Sequence, residues 1–264
     1  MSHVEHDDVR KQVRERYATI ANSESGCCGA NSCCTSSSTG AAKASAKLGY
    51  SEQQMNSIPE GADMGLGCGN PQAIAKLKPG ETVIDLGSGG GFDCFLAARQ
   101  VGETGRVIGI DMTPDMVSKA RANAGKGRYT NVEFRLGEIE YLPVADNYAD
   151  VVISNCVINL SPDKSQVFAE AFRVLRAGGR LAISDVVAVR DLPREIKCNL
   201  DAHCGCVAGA ASVSDVARML REAGFCEIKI DVNEESGDFI KDWFPGSGVE
   251  DYVRSAVIEA RKEA

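Results

Sequence analysis

Eleven cysteines and one glycine-rich loop carry most of the chemistry legible in this chain of 264 residues. The loop is DLGSGGGFD, Asp85 to Asp93. Gly87, Gly89 and Gly91 let the backbone turn tightly and come close to a ligand. Asp111 follows about 20 residues later, where an acid can accept hydrogen bonds from both ribose hydroxyls of a nucleoside. Cysteine thiolates bind soft, thiophilic centres. Cys68 sits in GLGCGNP, Cys156 in SNCVINL, and Cys206 opens CVAGA. Together these residues suggest a nucleoside cofactor site facing a sulfur-lined substrate site.

The pattern of apolar runs predicts the elements that would hold them. A strand over Thr82 to Ile84 enters the loop, and a helix over Phe92 to Arg99 leaves it. A second strand, Arg106 to Ile110, ends at Asp111, which completes a nucleotide-binding βαβ order. Thr113 can cap the next helix, with Pro114 at its first position. Further strands are predicted over Val132–Arg135, Ala149–Ser154, Arg180–Val187, Cys226–Val232 and Tyr252–Arg261. The run Ala149 to Ser154 is continuously apolar, as in a strand buried on both faces. Val167, Phe168, Ala171, Phe172 and Leu175 form a helical stripe that Gly178-Gly179 should end. Val213 to Ala223 reads as a late helix.

Ligands in an open α/β sheet bind beyond the carboxyl ends of its strands. Cys156 follows the fourth strand, so topology puts it at that crevice. Cys68 precedes the sheet and Cys206 follows the fifth strand, so both can cover the same edge. Residues 4–22 read as a polar helix. Residues 23–46 lack apolar periodicity and read as a mobile loop carrying Cys27-Cys28 and Cys33-Cys34. Residues 188–212 break the strand–helix rhythm and read as an insertion or lid holding Cys198, Cys204 and Cys206.

Composition narrows the partners. The 29 basic and 37 acidic residues leave a net charge of −8, which argues against nucleic acid. No apolar run reaches about 18 residues and no basic amphipathic helix appears, so no membrane partner is expected. MSHVEHDDVR does not resemble a signal peptide, and a cytoplasmic location with reduced thiols is expected. An odd number of cysteines cannot pair completely, so they read as ligands or reactive thiols. The chain has CC-x4-CC and C-x-C but no CxxC, which does not favour structural zinc. Cys94 and Cys226 read as small apolar fillers, His203 as a surface or hydrogen-bonding residue, and Trp243 and Phe244 as packing groups.

DLGSGGG resembles the first motif of class I S-adenosylmethionine methyltransferases. That resemblance implies an α/β, Rossmann-like fold with a seven-stranded, mostly parallel sheet and helices on both faces. It implies S-adenosylmethionine as cofactor, with Asp85 near the methionine end, Met112 against the adenine, and Glu138 and Ile139 in the adenine loop. Gly87, Ser88, Gly89, Gly91, Asp111 and Asn155 complete the implied cofactor residues. A carboxylate such as Asp85 is tolerable near a sulfonium and would repel a pyrophosphate. Taken with GLGCGNP, SNCVINL and DWFPGSGVEDYVRSAVIEARK, the chain is similar to bacterial and archaeal arsenite methyltransferases. The resemblance implies trivalent arsenic bound by Cys68, Cys156 and Cys206, with Cys204 crowding the third position. It implies accessory thiol chemistry at Cys27, Cys28, Cys33 or Cys34, and a thiol reductant such as thioredoxin or glutathione. The expected organisation is an N-terminal segment (1–48), a methyltransferase core (49–187), a cysteine-bearing insertion (188–212) and a C-terminal part with an extension (213–264).

The chemistry agrees with the resemblance. Thiolate-bound trivalent arsenic keeps a lone pair that can attack a sulfonium methyl in line. Such a nucleophile has no proton to lose, and the chain has only three histidines, at 3, 6 and 203. An oxygen or nitrogen substrate would more often want a positioned base. Nearby partners are expected to lower the cysteine pKa values, because the thiolate is the ligand. Two other readings stand beside this one. A methyltransferase of a small organic molecule explains the fold but leaves the cysteines idle. A non-enzymatic metalloid binder would rely on the N-terminal cysteine pairs.

Overall fold

The computed structural model describes residues 3–23, 38–197 and 200–264. Cys27, Cys28, Cys33, Cys34 and Cys198 lie outside the described residues. The chain begins with helices α1 (His3–Asn22), α2 (Ser38–Lys47), α3 (Glu52–Asn56) and α4 (Pro71–Ala75). The alternating region follows: β1 (Thr82–Leu86), α5 (Phe92–Val101), β2 (Arg106–Asp111), α6 (Pro114–Gly127), β3 (Val132–Leu136), β4 (Ala149–Asn155), α7 (Lys164–Val174) and β5 (Leu175–Ala188). Then come α8 (Arg194–Lys197), α9 (Leu200–Cys204), α10 (Val213–Glu222), β6 (Cys226–Asn233), α11 (Gly237–Ile240) and β7 (Val253–Arg261).

The strands form one seven-stranded sheet in the order β3-β2-β1-β4-β5-β7-β6. Strands β1 to β5 pair in parallel, and β7 runs antiparallel between β5 and β6. The expected fold class is therefore the observed one. Strands β1, β2 and β4 are buried along nearly their whole length, so their continuous apolar runs face helices on both sides. Two core clusters, around Phe168 and around Phe95, cover the two faces. A third cluster lies apart from them and gathers Cys68, Cys156 and Cys206 with Val186, Val207 and Ile240.

Chain order reverses between β1 and β4, which lie side by side. This switch point opens a crevice at the carboxyl ends of both strands. The glycine loop leaves β1 there, and Cys156 leaves β4 there.

Four local expectations differ from the structure. Ser38–Lys47, read as loop, is a helix, as its alanine-rich STGAAKASAK favours. α7 stops at Val174, and β5 starts at Leu175. Gly178-Gly179 therefore lies inside a strand irregularity, with the Gly178 N–H donating to the Lys262 and Glu263 carbonyls. Thr113 occupies the cap position of α6 but makes no side-chain cap bond. Its backbone N–H donates instead to Asp111. Cys226 is exposed rather than a buried filler. No helix of the described residues is long and apolar enough to cross a membrane.

Candidate active site

The glycine loop is fixed from below. The N–H groups of Gly87 and Ser88 both donate to the Ile110 carbonyl, at 2.7 and 3.0 Å. Gly87 has φ +66°, and a Cβ there would sit 2.5 Å from Val157, so only glycine fits. A Cβ at Gly89 would meet nothing within 4 Å, so the loop is open towards the cleft at that point. The Gly89 N–H donates to Asp111 Oδ2 at 2.9 Å, and the Thr113 N–H donates to Oδ1 at 2.8 Å. Asp111 thus ties the two strand ends together and keeps further lone pairs for a ligand.

Asp85, Gly87, Ser88, Gly89, Asp111, Met112, Ile139 and Asn155 line one cleft. Cys156 lines the same cleft. Two expected residues do not. Gly91 packs against Phe95 and Phe134 at the start of α5. Glu138 is held by Arg14 at 3.1 Å and Arg10 at 3.4 Å, and its neighbour Glu140 lines the cleft in its place. Arg10 and Tyr17 of α1 also line the cleft, a role that a polar N-terminal helix does not advertise in sequence.

Acidic side chains concentrate on one wall. Burial raises Asp85 well above the carboxylate range, and the charge of Asp93 adds to this. Burial also holds Asp93 up to about 6, although hydrogen bonds from Tyr50 and Asn155 pull it down. The Cys94 thiol donates to Asp85 Oδ2 at 3.1 Å, so this buried filler also orients the carboxylate. Such a wall suits a cationic ligand. The open glycine cradle, the strand-end acid Asp111 and these two carboxylates fit S-adenosylmethionine, which carries a sulfonium and an ammonium but no phosphate.

Asn155 joins this wall to the sulfur cluster. Its Oδ1 accepts the Cys68 N–H at 3.1 Å. Its Nδ2 faces the Gly69 carbonyl at 2.9 Å, the Tyr50 hydroxyl at 3.0 Å and Asp93 at 3.2 Å. Cys68 is also pinned at its carbonyl by Ser255 Oγ at 2.7 Å, and its thiol faces the Ser184 carbonyl at 3.6 Å.

The structure brings Cys68, Cys156 and Cys206 into one buried cluster. The sulfur atoms of Cys68 and Cys156 lie within 4.8 Å of each other. The Cys206 thiol donates to the Cys156 carbonyl at 2.7 Å. Cys204 lies at the cluster's margin and is half-buried. Sequence reasoning missed Asp185, a buried acid near the end of β5. One of its oxygens and the sulfur atoms of Cys68 and Cys156 all lie within 4.8 Å of one another.

The thiols run against the expectation of lowered pKa values. Burial pushes Cys68 up to about 12, although the neighbouring Cys156 acts downward. For Cys206, the neighbouring Cys156 and burial both act upward. For Cys156, the neighbouring Cys206 acts downward but is outweighed by Cys68, burial and the charge of Asp185. A dry site beside a carboxylate keeps these groups as neutral thiols.

A family model described as a methyltransferase domain matches residues 77–224. An arsenite methyltransferase of Halobacterium salinarum is 53% identical over 98% of this chain, which spans 68% of that protein. An arsenite methyltransferase of Mus musculus is 34% identical over 83% of the chain, which spans 58% of it. The crystal structure of an arsenic(III) S-adenosylmethionine methyltransferase from Chlamydomonas reinhardtii superposes with TM-score 0.61 at 34% identity. That match covers 84% of this chain and 73% of the algal one. With more than half its length inside a methyltransferase domain and that identity to the Halobacterium protein along almost all of it, this chain belongs to the arsenite methyltransferase family.

Proposed function

We propose that this protein transfers methyl groups from S-adenosylmethionine to trivalent arsenic bound by Cys68, Cys156 and Cys206. One observation carries the reading: three thiols gather at the end of the switch-point cleft, and Cys156 belongs to both cluster and cleft. When bound, S-adenosylmethionine supplies an electrophilic sulfonium methyl group. Gly89 and the loop backbone offer room for it, Asp111 accepts ribose hydroxyls, and Asp85 with Asp93 offset its positive charge.

The raised thiol pKa values suit the substrate. Arsenous acid carries three hydroxyls. Each thiol that replaces one gives up its proton to the departing hydroxyl, which leaves as water. Loading three thiols releases three waters and no net proton. Neutral, buried thiols are therefore poised for a neutral oxyacid. Cys156 lines the cleft and so holds the arsenic beside the donor, and such positioning is worth up to roughly 7–11 kcal/mol in ideal intramolecular cases. Each transfer formally oxidises arsenic by two electrons. Repeated transfer then calls for a thiol reductant of the thioredoxin or glutathione class.

The test is production of methylated arsenic from arsenite, donor and reductant. Cys156→Ser should lower the rate at least ~100-fold while the protein keeps its affinity for the donor within about threefold. Full activity of that variant on arsenite would overturn the reading.

A further inference from the structure

We propose that Cys68, Cys156 and Asp185 form a second ligand set, for a divalent cation of the zinc group, overlapping the arsenic set. The sulfur atoms of Cys68 and Cys156 and one Asp185 oxygen lie within 4.8 Å of one another, and all three residues are buried. A tetrahedral zinc ion at about 2.3 Å from sulfur spaces its sulfur ligands by roughly 3.8 Å. Small side-chain rotations close that gap.

The donor types separate the two occupants. Trivalent arsenic takes three sulfurs and keeps a lone pair, so it has no use for a hard carboxylate. Zinc and cadmium accept mixed sulfur and oxygen donors. Cys206 meanwhile directs its thiol at the Cys156 carbonyl rather than into the donor triangle. The two occupants thus share Cys68 and Cys156 and differ in the third ligand.

Asp185 is held as a ligand should be. Its Oδ2 accepts the Ile158 N–H at 2.9 Å. Its Oδ1 accepts the Val186 N–H at 2.7 Å and Asn159 Nδ2 at 2.9 Å. Hydrogen bonds of this kind fix a ligating carboxylate and leave it a free lone pair. On binding, two thiol protons leave to solvent, and two thiolates with one carboxylate exceed the cation's charge by one. The ammonium of Lys164 acts on Asp185 and offsets the excess. Of the three ligands only Cys156 lines the cleft, so a fourth ligand would come from that side. A divalent cation seated here excludes arsenic.

The cation site stands on its own geometry; only the contrast with arsenite rests on the proposed function. The experiment titrates Cd2+ and, in parallel, arsenite into the full chain with Cys27, Cys28, Cys33, Cys34, Cys198 and Cys226 replaced by serine. Cadmium–thiolate charge-transfer absorption reads the cation, and Zn2+ should compete for it. Asp185→Asn should weaken Cd2+ at least ~10-fold and leave arsenite within about threefold. Cys206→Ala should do the reverse. Cadmium-113 NMR of the protein with Asp185 intact gives a second readout, since an S2O donor set differs in chemical shift from S3. Absence of bound Cd2+, an S3 signature, or equal losses for both ions in Asp185→Asn would overturn the proposal. Unchanged arsenite binding in Cys206→Ala would instead count against the arsenic reading.

Discussion

Cys156 holds φ +59° and Cys206 φ +64°, a left-handed conformation that a residue with a Cβ rarely adopts. Neither is a glycine, so two of the three cluster thiols sit on strained backbone, of the kind that collects at functional sites. The surroundings hold it: the Cys156 N–H donates to Ser184 and the Cys206 N–H to His203. Because the strain comes from the Cβ, Cys156→Gly should be more stable than Cys156→Ala by about 1 kcal/mol. Urea unfolding of the two variants measures this, and the opposite order would show that no strain is stored there. Asp85 and Asp93 give a second prediction. Their folded pKa values are raised, Asp93 to about 6. Through Asp93 the folded protein therefore binds more protons than the unfolded chain between about pH 4 and 6, and this contribution to stability is lost as pH rises through that window. A cationic donor needs the same carboxylates ionised. Its affinity should fall as pH drops below about 6, and calorimetry from pH 5 to 8 checks this. A flat profile would remove these groups from the donor site. The three cysteines were legible in sequence because motif and strand-end position both mark them. Asp185 was not, because an acid inside ISDVVA reads as one polar position in a strand.

Elements explain why those residues meet. The loop after β1 was legible because glycine at positive φ leaves a mark in the sequence. Gly87→Ala should fail for two reasons at once, the left-handed φ and the 2.5 Å clash with Val157. A loss of about 1–3 kcal/mol, together with lost donor binding, is expected from thermal melts and calorimetry. Helix α1 left no comparable mark. It docks through Arg10 onto Glu140 at 3.2 Å, and the Tyr17 hydroxyl donates to the Cys204 carbonyl at 3.2 Å. Glu140 is almost wholly buried and also accepts the Ser161 hydroxyl. Arg10→Ala leaves that carboxylate without its cation, and a loss of about 3 kcal/mol follows. Adding Glu140→Gln should recover part of it. A double variant no more stable than Arg10→Ala would mean that the pair does not couple. Long-range pairs of this kind join residues some 130 positions apart, and no local pattern announces them.

At the scale of the whole molecule, the sheet order does what neither residues nor single elements can. Placing β1 beside β4 puts the glycine loop and Cys156 on adjacent strand ends. Cys68 arrives from the segment before the sheet and Cys206 from the segment after β5, so three distant parts of the chain close one cluster. Strand and helix periodicity foretold the layered fold. The convergence was foretold only by where ligands sit in such folds, and the dry, protonated state of the thiols was not foretold at all. The central claim is that one arsenic atom is shared by these three sulfurs. X-ray absorption at the arsenic edge tests it directly, on arsenite-loaded protein with the N-terminal cysteines replaced by serine. The account predicts three sulfur neighbours, falling to two in each of Cys68→Ser, Cys156→Ser and Cys206→Ser. Three sulfurs that persist in any one of those variants would contradict it.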